Sequence, residues 1–148
     1  MQAIILIGIQ ATGKSSFYKE NFFNSHIRIS LDLFNTRNKE NQFLEKCFEL
    51  HASVVIDNTN PRVEDRQRYI KMAKANKYQV VGYYFQSKPK DALARNAKRE
   101  GKARIPDAGV LSCYSKLELP NYGEGFNELF YVSIEDGDFK VSNWKNEV

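Results

Sequence analysis

Apolar residues run almost unbroken from Ala3 to Ile7, and shorter apolar runs recur at His26–Ser30, Ser53–Ile56 and Gln79–Phe85. Runs this short with few polar interruptions predict strands buried on both faces. Between them the apolar positions fall at helical spacing. Lys14 to Phe23 predicts one helix and Leu33–Leu50 a second, the latter carrying Leu33, Phe34, Phe43, Leu44, Cys47 and Phe48. Asn60-Pro61 predicts an N-cap with proline at the first helical position, with Glu64 and Asp65 in the first turn of a helix that runs to about Asn76. Pro89–Arg99 and Pro106–Leu117 predict two more helices, and Leu129–Ile134 a last strand. That strand pairs as a hairpin with Phe139–Val141 across Asp136-Gly137-Asp138. Strands alternating with helices give an α/β chain with right-handed crossovers and a parallel sheet covered on both faces. The pattern shows no repeat and no linker, so a single domain is expected over residues 1–148.

Composition narrows the class. Hydrophobic residues are 42% and charged residues 27% of the 148, which is ordinary for a globular chain and excludes a disordered or collagen-like one. No apolar run is long enough to span a bilayer, and the first run lacks a basic flank, so neither a membrane protein nor a signal peptide is expected. Cys47 and Cys113 form no CxxC pair. No disulfide and no zinc site are expected, and the reducing cytoplasm is the expected location. Lysine plus arginine number 22 and aspartate plus glutamate 18, a formal charge of +4. The segment Lys88–Arg104 holds seven basic residues against two acids, +5 in all, so the rest of the chain is −1. Such a cluster is either a solvated helix face or a surface that meets phosphates.

The turn after the first strand reads Gly8-Ile9-Gln10-Ala11-Thr12-Gly13-Lys14-Ser15, which fits GxxxxGK[ST]. Glycines let the backbone curl so that its N–H groups face anionic oxygens, and the helix start adds unpaired N–H groups and a positive dipole end. Lys14 then reaches the β- and γ-phosphates, and the Ser15 hydroxyl ligates Mg²⁺. The strand before and the helix after are the context this motif requires. ATP and Mg²⁺ are therefore the expected cofactors. Gly8, Gln10, Ala11, Thr12, Gly13, Lys14, Ser15 and the adjoining Ser16 are the expected nucleotide contacts, and Ser15 the metal ligand.

Ligands of an open parallel sheet lie beyond the carboxyl ends of its strands. Asp32 and Asp57 follow the second and third strands. A carboxylate there either accepts the proton of an attacking hydroxyl or holds Mg²⁺ through water. The plain alternatives are a helix cap for Asp32 and a turn for the Asp57-Asn58-Thr59-Asn60 stretch, in which Asn60 reads as the cap. Arg95 and Arg99 stand four apart on one predicted helix face, ahead of Gly101 and a basic loop. They read as lid arginines that neutralise charge on a transferring phosphoryl group, or else as a surface pair for Asp91 and Glu100. Asp136-Gly137-Asp138-Phe139-Lys140 imitates a DxDxT phosphatase nucleophile, but its fifth residue is Lys140, so a hairpin turn is the better reading.

Several stretches together resemble the 5′-hydroxyl kinase domain of polynucleotide kinases and polynucleotide kinase–phosphatases. They are Gly8–Ser15, ISLDLF around Asp32, VVIDNTNPRVEDRQRYI from Val54, ALARNAKREGKARIP from Ala92, and LELPNYGEGF from Leu117. They cover most of the chain in order. The resemblance implies a P-loop kinase-type three-layer fold, with a central parallel sheet of about five strands and an Arg-bearing helical lid. It implies transfer of the γ-phosphate of ATP to the 5′-hydroxyl of DNA or RNA, so a nucleic acid 5′ end is the implied partner. Lys14, Asp32, Arg95 and Arg99 would then be catalytic, with Asp32 activating the acceptor. Asp57, with Asn58 and Thr59, would line the acceptor site. The chain departs from the family at Leu31 and Asn35, where arginines often stand, and in the loop interior Ile9–Thr12. The alternatives are a kinase for a nucleoside or another small hydroxyl metabolite, and a nucleotide-binding regulatory module with little transfer.

Overall fold

The computed structural model describes residues 1–145; the last three positions of the expected domain lie outside the described residues. Six strands form one sheet in the order β2-β3-β1-β4-β5-β6. Strand β1 (Gln2–Ile7) lies at the centre, parallel to β3 (Val54–Ile56) and β4 (Gln79–Phe85). Strand β2 (Ile27–Ile29) extends the sheet on one side and β5 (Glu128–Glu135) on the other, both parallel to their neighbours. The edge strand β6 (Asp138–Asn143) runs antiparallel to β5 across a two-residue turn. Asp136 and Gly137 both take positive φ there, 52° and 80°, the turn geometry whose twist matches a hairpin. The DGD stretch is thus a hairpin turn, and the sheet holds five parallel strands and one antiparallel edge.

The continuous apolar run of β1 follows from its two covered faces. Ala3, Ile5 and Ile7 face a core shared with Leu44, Phe48, Tyr69 and Tyr84. Ile4 and Leu6 point the other way, onto Phe17, Val81 and Phe85. The first core is roofed by α3 (Arg37–Glu49) and α4 (Val63–Ala75), the second by α1 (Lys14–Asn21). A third, smaller core joins α5 (Pro89–Ala97) to α6 (Asp107–Lys116) through Ala92, Val110 and Cys113, and Ile9 of the glycine turn plugs into it. Among the described residues no helix is long and apolar enough to cross a membrane, and Cys47 and Cys113 are free and buried.

Three expectations about helices are corrected. The stretch Leu33–Leu50 is not one helix. A single turn, α2 (Leu31–Phe34), ends at Asn35, whose φ is 66°. Thr36 then caps a new helix by accepting from Lys39 N. Asn60 is not a cap: its φ is 46°, its side chain donates to Leu6 O at 2.8 Å, and Arg62 occupies the N-cap of α4. Finally, α5 stops at Ala97, so Arg99 lies in the turn beyond it and does not share a helix face with Arg95.

Candidate active site

The glycine turn is built by backbone that few side chains tolerate. Gly13 has φ 95°, and a Cβ on it would lie 2.7 Å from a ring carbon of Phe139. Ala11, between Gly8 and Gly13, adopts φ 61°. The start of the loop is tied to its surroundings on two sides: Gly8 N donates to Thr59 O at 3.0 Å and Ile9 N to Ser87 Oγ at 3.1 Å. Thr12 Oγ1 closes the loop onto Ile9 O at 2.9 Å. No side chain caps α1 at Gly13, so the helix start is left open for an anion.

Lys14 is buried, and its Nζ donates to Gly8 O at 2.9 Å and Ile9 O at 2.7 Å. Burial pushes its pKa down to about 8, partly offset by the Asp57 carboxylate. Ser15 Oγ donates to Asp57 Oδ2 at 2.8 Å. Asp57 is itself buried at the end of β3. A hydroxyl and a carboxylate oxygen in contact make a hard-oxygen pair that suits Mg²⁺, which commonly takes only one or two protein ligands and otherwise binds water and phosphate.

Asp32 stands across the cavity from this pair. Its backbone N–H donates to Ser30 Oγ at 3.2 Å, so Ser30, and not Asp32, caps α2. The Asp32 carboxylate is exposed and, among the described residues, makes no hydrogen bond or ion pair. The cavity has a volume of about 980 Å³ and is lined by Gln10, Ala11, Lys14, Ser15, Asp32, Asp57, Asn58, Thr59 and Arg99. Its outer wall adds Arg37, Arg62, Lys102 and Lys116. Ser16 and Arg95 do not line it. Arg95 instead reaches back to Ala11 O at 3.5 Å, the outer limit of a hydrogen bond. Arg99 Nη1 donates to Ala103 O at 3.3 Å.

Asn58 and Thr59 are engaged as framework. Asn58 Oδ1 accepts from Leu31 N at 2.9 Å, which fixes the residue before Asp32. Asn58 Nδ2 donates to Glu40 Oε2 at 2.9 Å, and Glu40 is fully buried, accepting also from the Tyr69 hydroxyl. Burial, then the Glu40 bond, pushes the Tyr69 pKa up. Thr59 holds Gly8 through its carbonyl.

Sequence reasoning missed five residues of this framework. Arg28 on β2 donates from Nε to Asp57 Oδ2 at 2.7 Å. Glu40 anchors the network just described. Buried Asn96 pins the lid loop by bonding both the N–H and the carbonyl of Ile105. Arg66 and Glu124 form a buried two-bond ion pair, at 2.8 and 3.0 Å, beneath the β3–α4 loop. Each partner is distant in sequence, so no local spacing signals it.

Comparison with known proteins places the family and the fold. A model of the AAA domain family matches residues 24–120, from the turn before β2 through α6. A bifunctional polynucleotide phosphatase/kinase of Schizosaccharomyces pombe is 26% identical over 143 residues, covering 94% of this chain and 34% of that protein. An Acanthamoeba polyphaga mimivirus protein named for the same two activities is 31% identical over 141 residues, covering 90% of this chain and 33% of its own. The chain thus spans about a third of the length of the curated relatives it matches. Among solved structures, a gluconokinase from Sinorhizobium meliloti 1021 superposes with a TM-score of 0.64 at 15% identity, over 89% of this chain and 82% of that one. The phosphate loop lies just ahead of the stretch that the family model matches, and with it the fold is that of the P-loop kinases: the chain belongs to the AAA domain family.

Proposed function

We propose that the protein transfers the γ-phosphate of ATP to a hydroxyl, and that the acceptor is the 5′-OH of a nucleic acid strand. The observation that carries the transfer reading is the Asp32 carboxylate. It is relieved of capping by Ser30, makes no ion pair among the described residues, and shares a cavity with Lys14 and Ser15. A carboxylate with no structural task, facing a phosphate loop, suits a general base. The names of the two curated relatives, each including a polynucleotide kinase activity, support the choice of acceptor.

In this reading the glycine turn and the start of α1 hold the phosphates, and Lys14 turns from the loop carbonyls to their oxygens. Ser15 and Asp57 would hold Mg²⁺, which when bound neutralises charge on the phosphates. Asp32 accepts the acceptor's proton as its oxygen bonds to the γ-phosphorus. The bond from that phosphorus to the bridging oxygen breaks, and ADP leaves. Arg99 supplies positive charge where the transferring oxygens gather. Asn58 serves by fixing Leu31, and so the base beside it. The reaction takes place in the cytoplasm, which suits the two free thiols.

A smaller acceptor is the second reading, favoured by the shared fold with a gluconokinase. One experiment separates the two: γ-labelled ATP with a 5′-OH oligodeoxynucleotide, a 5′-OH oligoribonucleotide, nucleosides and gluconate. Label on either oligonucleotide well above the small acceptors is expected. Label on nucleosides or sugars alone would replace the polynucleotide reading, and label on none would remove the kinase.

A further inference from the structure

We infer that Arg28 is a resident counter-cation of the Ser15–Asp57 pair, which must leave that pair before a divalent metal is held there. This rests on the reading of Ser15 and Asp57 as the metal ligands.

The Asp57 side chain is only 3% exposed, and a buried carboxylate demands a cation or several donors. The charge of Lys14 acts on Asp57 from nearby, but its Nζ hydrogen bonds go to Gly8 O and Ile9 O and not to the carboxylate. The direct ion pair is with Arg28, whose Nε donates to Asp57 Oδ2 at 2.7 Å. Its Nη2 reaches Ser15 Oγ at 3.3 Å. The guanidinium therefore addresses both oxygens of the candidate metal pair at once. Oδ2 already accepts from Ser15 Oγ, so a single carboxylate oxygen serves two donors. Ser15 Oγ gives its proton to Asp57 and one lone pair to Arg28.

A divalent cation held by Ser15 Oγ and Asp57 would sit against the guanidinium that now contacts both side chains, and it repels that guanidinium at contact distance. At a separation of ~4 Å and the effective dielectric of a protein surface, two unit charges already interact by several times thermal energy. Shared occupancy is therefore strongly disfavoured. Arg28 has somewhere to go. It sits on β2, the outermost strand on that side of the sheet, and its side chain is 25% exposed. Rotation about its own stem carries the head into water without moving the backbone.

Two consequences follow. Without metal–nucleotide, Arg28 keeps Asp57 paired and ties β2 to the phosphate loop, so the site is held together. With it, the metal displaces the guanidinium, and its affinity is lowered by the cost of breaking that pair. Arg28 thus sets the metal concentration at which the site loads.

Binding of Mn²⁺ in the presence of ADP, followed by electron paramagnetic resonance on the full chain, tests this directly. Arg28→Gln should bind Mn²⁺ about tenfold more tightly than the parent, since a unit charge near the metal has been removed. Arg28→Lys, which keeps the charge, should stay within about threefold of the parent. Without ligand, Arg28→Gln should melt at lower temperature, and Mn²⁺–ADP should raise its midpoint more than the parent's. A second measurement needs no variant. In the parent, the Arg28 Nε–H signal should be protected from solvent exchange, and Mg²⁺–ADP should remove that protection. Folded Arg28→Gln with unchanged or weaker Mn²⁺ affinity would overturn the inference, as would protection that persists with Mg²⁺–ADP. Asp57→Asn is the control for the underlying reading: it should lose the bound Mn²⁺. Retention of that Mn²⁺ would place the metal elsewhere and remove the premise itself.

Discussion

Each chemical residue of the site occupies a position its neighbours have freed or forced. Lys14 is held off the solvent and its pKa pulled down to about 8, so its proton is held less firmly until phosphates approach. Lys14→Ala is expected to weaken ADP binding at least tenfold in a calorimetric titration, because it removes a charge-assisted contact with the β-phosphate oxygens. Unchanged affinity in a folded variant would rule out the phosphate-loop assignment. Asp32 offers a sharper test. Asn caps a helix as well as Asp does, and Ser30 already caps α2. Asp32→Asn should therefore leave thermal stability and ADP affinity almost unchanged. Its single-turnover transfer rate should fall by about 10²–10⁴, the usual contribution of a general base. A variant that transfers at the parent rate would return Asp32 to the role of an ordinary surface acid.

At the scale of elements, α5 and α6 form a small packed unit resting on the loop, the lid of the proposed reaction. Its core seats Ile9 against Ala92 and Val110, so any movement of α5 and α6 is mechanically linked to the phosphate loop. Arg99 reaches the cavity from the turn after α5, while Arg95 stays on the loop backbone. Arg99→Ala should accordingly lower the rate constant for transfer far more than it weakens ATP binding, and Arg99→Lys should restore little, since an ammonium lacks the planar fork. Arg95→Ala should show a smaller loss of rate. Equal, salt-dependent losses of acceptor affinity in both would mark the segment as an electrostatic landing patch. Buried Asn96 satisfies both backbone groups of Ile105, and Asn96→Ala leaves them unpaired at a cost of about 1–3 kcal/mol. Hydrogen exchange should then quicken over residues 98–106 and leave the sheet protected.

For the whole molecule, the sheet was legible from its apolar runs because both faces are covered, and the glycine turn because its motif is local. Two helix starts differ from the apolar pattern although their local signals are present. Asn35 tolerates a left-handed backbone and Thr36 is a favoured cap, which together break the stretch before α3. Asn60-Pro61 reads as a helix start, yet tertiary contact draws the Asn60 side chain to Leu6 O and delays α4 to Val63. Arg28, Glu40 and the Arg66–Glu124 pair were illegible because their partners lie 18 to 58 residues away. That last pair fastens α4 to the chain after α6. Glu124→Gln leaves a buried guanidinium uncompensated and should cost about 3–5 kcal/mol in urea unfolding. These supports converge on one site that brings a free carboxylate to a phosphate loop. The most direct test of that account is the mass and position of the phosphate on a 5′-OH oligonucleotide after incubation with ATP. One phosphoryl group at the 5′ end is predicted with the parent protein, little with Asp32→Asn, and none on an oligonucleotide already 5′-phosphorylated. An unmodified 5′-OH strand, in the presence of a parent protein that binds ATP, would contradict it.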